Sequence, residues 1–155
     1  MHNLVAGYAY RMTDAPRLNR QVCFALYSAS RAATAVYRPV LEELGLTYPQ
    51  YLVMLVLWES EPRGVKELGE ELGLDSGTLS PLLKRLESLG LVERRRSGED
   101  ERRVAIHLTP AGRELSGKAG AIPQRLADAA GLTAKELDQL RDTLGRLTAA
   151  LHSAP

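Results

Sequence analysis

Cys23 is the single thiol of the chain, and Tyr27 follows it by four residues, one turn along the same face of a helix. A phenol that donates a hydrogen bond to a thiolate stabilises it. A cysteine close to a helix N-terminus gains further from the helix dipole, and a helix starting after Asn19 puts Cys23 there. No other residue supplies a nucleophile with an obvious base. The alternative is an inert thiol, because free cysteine usually packs as a small hydrophobe; the residues alone leave both open. The second chemical feature is basic. Arg94, Arg95, Arg96, Arg102 and Arg103 fall within ten residues, and Glu99, Asp100 and Glu101 sit between them, placed to orient them by ion pairs. From residue 84 to 103 there are seven basic and five acidic side chains, a local excess of two positive charges.

Composition limits what such groups can belong to. The 155 residues fit one compact domain with helical extensions and can bury a core. The formal charge is +1, so bulk charge gives no argument for nucleic acid, which is read more easily from a pI above roughly 9. One cysteine excludes an intrachain disulfide, an iron–sulfur cluster and a cysteine-rich zinc site, and the scattered His2, His107 and His152 have no ligand spacing. No metal or cofactor is expected. The longest apolar run, residues 51–58, is far short of the ~20 residues of a membrane span. Without a signal-peptide core at its start, the chain reads as soluble and cytoplasmic, with no membrane partner.

Periodicity gives the elements that must position these groups. Residues 1–13 read as a loosely held arm. Val22, Leu26, Ala29, Ala33, Val36 and Val40 recur at spacings of four and three, the stripe of a helix packed along one seam. It starts after Asp14 or after Asn19 and stops before Gly45, and from 20 to 44 would be roughly 40 Å long. Thr47-Tyr48-Pro49-Gln50 is a capping box opening a second helix to about Glu59, apolar nearly all round. Glu61-Pro62-Arg63-Gly64 breaks the chain. A short helix (65–72), a turn (73–75) and a further helix (76–89), ended by Gly90, come next. Then the period changes to two: residues 91–96 and 103–109 form a β-hairpin with a charged tip. Thr109-Pro110 caps a fifth helix to about Ala130, with Pro123 the place for a kink. Thr133-Ala134-Lys135-Glu136 caps a last helix carrying Leu137, Leu140, Leu144, Leu147 and Leu151 at heptad-like spacing.

The expected fold is mainly α with a small β-hairpin wing, an α+β winged helix–turn–helix. Long amphipathic helices at both ends suggest a homodimer built from 14–46 and 110–155, leaving 47–109 to act on something else. A helix–turn–helix places its second helix in the major groove of double-stranded DNA. Here that helix begins Asp75-Ser76-Gly77-Thr78-Leu79-Ser80, small and hydroxylated, with Lys84 and Arg85 further along. An arginine wing enters a narrow minor groove. Each signal alone is ordinary: αα-turns are common, and arginines often guard a solvated sheet edge. Their succession favours DNA.

The segments Leu82-Leu83-Lys84-Arg85-Leu86-Glu87-Ser88-Leu89-Gly90-Leu91-Val92, Asp100-Glu101-Arg102 and Leu108-Thr109-Pro110-Ala111-Gly112 resemble the MarR family of winged-helix regulators. That resemblance covers the chain from about residue 18. It implies a dimer through the terminal helices, a pseudo-palindromic operator, and Arg102 as the minor-groove arginine oriented by Asp100. Cys23-Phe24-Ala25-Leu26-Tyr27, Tyr37-Arg38-Pro39, Leu46-Thr47-Tyr48-Pro49-Gln50-Tyr51-Leu52 and Leu74-Asp75-Ser76-Gly77-Thr78-Leu79 are similar to its organic-hydroperoxide-sensing branch, OhrR. By that resemblance an organic hydroperoxide oxidises Cys23, whose sulfur is held by Tyr37 and Tyr48 of the partner subunit, with Tyr27 a further candidate. Some members carry a resolving cysteine and this chain has none, so oxidised Cys23 is either capped by a low-molecular-weight thiol, the expected route, or oxidised further irreversibly. The expected function is a repressor that oxidation releases from the operator of a peroxide-detoxification gene, with no catalytic residues. The alternatives are a repressor released by a small aromatic ligand, a thiol peroxidase, and a purely structural dimerisation module.

Overall fold

The computed structural model of the chain describes residues 17–96 and 104–155. The arm at 1–13, the hairpin tip and the site residues Asp100, Arg102 and Arg103 lie outside the described residues. The chain divides into two units, one up to Ala33 and one from Thr34 to Pro155.

In the first unit a 3-10 turn, Leu18–Arg20, leads into helix α1 (Val22–Glu43), which ends in the second unit. The Ala25 N–H donates to the Gln21 carbonyl at 3.1 Å, so Gln21 is the cap residue. The expected starts after Asp14 or Asn19 are therefore corrected. Asn19 lies inside the preceding turn, whose own hydrogen bond runs from the Gln21 N–H to the Leu18 carbonyl. At 22 residues α1 is about 33 Å long, shorter than expected.

The second unit is built around helix α2 (Tyr48–Glu59). Its capping box forms as the sequence predicts: the Gln50 N–H donates to Thr47 Oγ1 and the Thr47 N–H donates to Gln50 Oε1 at 3.0 Å. Gln50 can be buried because its amide is used in this way. Tyr51, Val53, Met54, Val56 and Leu57 are buried beside Leu68, Leu79, Leu83, Leu86, Ile106, Leu108 and Ile122. These come from α3 (Val65–Leu72), α4 (Ser76–Ser88), strand β3 (Val104–Leu108) and α6 (Ile122–Ala130). Gly73, at φ +64°, ends α3, and Asp75 caps α4, so the turn between them is short because both ends are satisfied locally.

Two expectations need correction. The break at 61–64 contains a strand, β1 (Arg63–Gly64), paired antiparallel with β3 through Arg63–Ile106 and Gly64–Ala105. With β2 (Val92–Arg96) the sheet has three strands in the order β1-β3-β2. Two residues with no apolar alternation leave no periodic signal for such a strand. The fifth helix is two helices, α5 (Pro110–Ala119) and α6, separated at Gly120-Ala121. Pro123 lies in the first turn of α6, where its missing N–H costs nothing, so it starts a helix instead of kinking one. The chain ends in α7 (Ala134–His152), opened by the Thr133–Glu136 capping box. No helix among the described residues is long and apolar enough to cross a membrane.

Among the described glycines, Gly112 comes nearest to another stretch of backbone. A Cβ added to Gly112 in α5 would lie 2.1 Å from the Leu91 carbonyl oxygen, whereas one added to Gly117 on the same helix meets nothing within 4 Å. Gly112→Ala is expected to destabilise the protein by about 1–3 kcal/mol or more. Gly117→Ala should stabilise it by about 0.5–1 kcal/mol through helix propensity. Urea unfolding of the two variants checks the pair of opposite signs.

Candidate functional site

Helix α4 is anchored on its inner side by Leu79, Leu83 and Leu86, all buried, which leaves Ser76, Gly77, Thr78, Ser80, Lys84 and Arg85 exposed on the other. The small residues at its start let another backbone come close. Asp75 is committed to the helix itself: its Oδ1 accepts from the Thr78 N–H at 2.8 Å and its Oδ2 from the Thr78 hydroxyl at 3.3 Å. The Thr78 N–H bond first, then that hydroxyl, holds its carboxyl below the usual range. Among the expected DNA-binding residues, Asp75 is thus a cap that sets where α4 begins.

The sheet treats its arginines unequally. Arg94 reaches from β2 to α4 and donates to Glu87 Oε2 at 2.9 Å, while Arg95 pairs with Glu93 of its own strand. Arg96, at the end of β2, is exposed. The two roots of the wing are sewn together. The Thr109 N–H donates to the Leu91 carbonyl at 3.0 Å, the Thr109 hydroxyl donates to the Gly90 carbonyl at 2.6 Å, and the Gly112 N–H donates to that same hydroxyl at 3.0 Å.

A second cluster lies in the same unit. Tyr37 of α1 and Tyr48 of α2 stack with ring centroids 5.5 Å apart and planes 11° from parallel. Tyr51 stands 6.3 Å from each. Burial raises the Tyr37 phenol, with the neighbouring Tyr48 adding to it. Burial likewise raises Tyr51, followed by Tyr37 and Tyr48. Both phenols are therefore neutral donors at ordinary pH. The structure thus joins Tyr37 and Tyr48, which the resemblance pairs, and adds Tyr51, which sequence reading takes only as core. Its signal is the spacing of three from Tyr48 on one helix. Tyr51 continues to Trp58, edge to face at 6.2 Å, and Trp58 Nε1 donates to the Gly112 carbonyl at 2.8 Å.

Beside that bond, Glu61 binds two elements at once. Its Oε2 accepts from the Leu108 N–H at 2.6 Å and its Oε1 from Arg113 Nε at 2.5 Å. Arg38 and Tyr48 face a cavity of about 310 Å³ between the end of α1 and the start of α2. In the first unit, Cys23 is the second residue of α1 and is exposed, against the ordinary habit of a free cysteine. Tyr27 is also exposed, and the Arg31 guanidinium lies 5.5 Å from its ring centroid. No group of three His, Cys, Asp or Glu side chains among the described residues is placed to hold a metal.

Comparison with known proteins agrees with this architecture. Residues 35–118 match the family described as transcriptional regulator SarA/Rot. The organic hydroperoxide resistance transcriptional regulator of Bacillus subtilis (strain 168) is 48% identical over 139 residues, which are 90% of this chain and 95% of that one. Among solved structures, AbfR of Staphylococcus epidermidis is 37% identical with a TM-score of 0.72, over 89% of this chain and 95% of that one. AbfR has also been solved reduced and bound to DNA. PcaV of Streptomyces coelicolor, solved with its natural ligand, is 26% identical with a TM-score of 0.80, over 89% of this chain and 99% of that one.

Glu61 gives a pH signature. Burial pulls its carboxyl up, but the Arg113 hydrogen bond, the Leu108 N–H and the charges of Arg113 and His107 bring it below its ordinary value of 4.5. A carboxyl lowered by folding contributes stability that is complete above its unfolded value and is lost as pH falls through the folded one. The midpoint gap between wild type and Glu61→Gln in thermal unfolding should therefore be widest near neutrality and close as pH falls from 5 toward 3.

Proposed function

The chain belongs to the MarR-type winged-helix transcriptional regulators, which are not enzymes, and on that premise we propose that it is a homodimeric, cytoplasmic repressor released from its operator when an organic hydroperoxide oxidises Cys23. Residues 14–46 and 110–155 form the dimer, and 47–109 bind DNA. Helix α4 enters the major groove with Ser76, Gly77, Thr78, Ser80, Lys84 and Arg85. Arg94, Arg95, Arg96, Arg102 and Arg103 serve the wing, with Asp100 orienting Arg102 in the minor groove. Two such units in a dimer read successive major grooves of a pseudo-palindrome.

The observation that carries the redox part is the stacked contact of Tyr37 and Tyr48, eleven residues apart in sequence and on different helices. Two phenol hydroxyls side by side can donate to one thiolate sulfur from the partner subunit, with Tyr27 a further donor. The thiolate attacks the distal oxygen of the hydroperoxide, the O–O bond breaks, an alcohol leaves after taking a proton, and Cys23 becomes a sulfenic acid. A small thiol then forms a mixed disulfide and releases water. The sulfur can no longer accept both phenol bonds, and the recognition helices lose the spacing that fits DNA. Similarity to a hydroperoxide resistance regulator supports this reading.

The cavity beside Arg38 and Tyr48 favours one second reading, release by a small aromatic acid. Operator-shift assays separate the two. Cumene hydroperoxide should release the wild type at least fivefold, and should leave Cys23→Ser bound. Mass spectrometry in the presence of a small thiol should find one adduct on Cys23. Release of Cys23→Ser by the oxidant contradicts the redox reading. Release of the reduced protein by an aromatic acid establishes the other.

A further inference from the structure

The tyrosine cluster and the root of the wing are far apart in sequence, yet a short series of directional contacts joins them. Tyr48, Tyr51 and Trp58 lie along one side of α2, Trp58 two turns beyond Tyr51. Tyr51 touches both Tyr37 and Tyr48 at 6.3 Å, and its ring meets the indole at 63°. Trp58 is partly buried and is the one tryptophan of the chain. Apolar packing alone would not fix the indole's rotation, but its N–H does, by donating to the Gly112 carbonyl at 2.8 Å. Gly112 in turn is pressed against the Leu91 carbonyl and is bonded through the Thr109 hydroxyl to Gly90. The start of α5 and both strand roots of the wing are thus bonded to one another. A close-packed row cannot absorb a ring rotation at one end without passing it on.

We propose that Trp58 is the positioning residue that couples the Tyr37–Tyr48 pair to the wing, its indole N–H bond to Gly112 being the link through which a change at the tyrosines re-aims the DNA-binding unit. This rests on the redox reading above, since it takes oxidation of Cys23 as what disturbs the phenols. It makes Trp58 neither a sensor nor a DNA contact. A merely structural tryptophan would affect stability alone, whereas a coupling one affects the response to oxidant.

The test uses the full-length dimer and its operator. Trp58→Phe keeps an aromatic ring against Tyr51 and removes the N–H. The reduced variant should bind operator within about threefold of wild type, and Cys23 should be oxidised to the same extent by mass spectrometry. The fold-loss of affinity caused by cumene hydroperoxide should fall at least fivefold, within the ~5–150-fold range of ordinary coupling. In the wild type, fluorescence from the lone tryptophan should shift on oxidation, and in Cys23→Ser it should not; this second measurement stands even if Trp58→Phe folds poorly. A wild type released by oxidant alongside a Trp58→Phe released equally overturns the coupling alone, as does release without a change in Trp58 emission. A wild type that oxidant never releases overturns the redox reading and the coupling with it.

Discussion

Helix α2 has no polar face, and in water a helix with that pattern is stable only when other elements cover it on all sides. Six of its twelve residues are buried, and its apolar side chains share one core with α3, α4, the sheet, α5 and α6. Burying a Leu, Val or Met side chain contributes about 1.5–3 kcal/mol each, so α2 gives the wrapping elements one shared apolar surface to pack on. The polar groups on α2 are left at its two ends. Thr47 and Gln50 close the first, and Trp58 and Glu61 fasten the second to α5 and β3. Helix α4 and strand β3 thus pack on a helix half of whose residues are buried.

Much of this was legible because it depends on local chemistry. The Thr47–Gln50 and Thr133–Glu136 boxes and the glycines at 73 and 90 each declare a helix end within four residues of sequence, and the structure has helix ends there. What escaped was what depends on partners distant in sequence. Strand β1 exists only because β3 offers it a ladder, and nothing in Arg63-Gly64 announces that. The Trp58–Gly112 bond spans 54 residues, and Glu61 reaches 47 residues to Leu108 and 52 to Arg113. Tyr51 shows the same blind spot: a tyrosine in an apolar helix reads as core, and it is core, yet its ring also links two others. The break between α5 and α6 was misread for a different reason. Pro123 signals both an interrupted helix and the first turn of a new one, and only the geometry of Gly120-Ala121 chooses between them.

The terminal helices supply the complementary argument. Of the expected stripe on α1 only Val40 is buried; Leu26, Ala33 and Val36 are partly buried, and Val22 and Ala29 are exposed. In α7 no residue is buried, and Leu140 and Leu151 of the heptad-like stripe are exposed. Apolar area left in water forgoes about 25 cal/mol per Å², and a sequence that keeps leucine at such spacing gains from it only when a second surface covers the stripe. A second copy of the chain would cover both stripes through one symmetry.

Charge along the wing is best judged pair by pair. The chain's near-neutral total conceals the arginine run, but the run is not five equivalent cations. Arg94 is a strut between β2 and α4, bonded to Glu87, and Arg95 is partnered within its own strand. Exposed ion pairs of this kind are worth about 0–1 kcal/mol and weaken with salt, so they hold the wing's direction only modestly without preventing an arginine from exchanging its carboxylate for a phosphate. That exchange costs little because one anion replaces another. The acids therefore set where Arg94 and Arg95 rest, and the chain's total charge of +1 does not describe the local charge of this edge. The β2–β3 pair, a ribbon that would be marginal in isolation, is held at its root by the β1 ladder, by the Thr109 clasp and by the Arg94–Glu87 pair to α4.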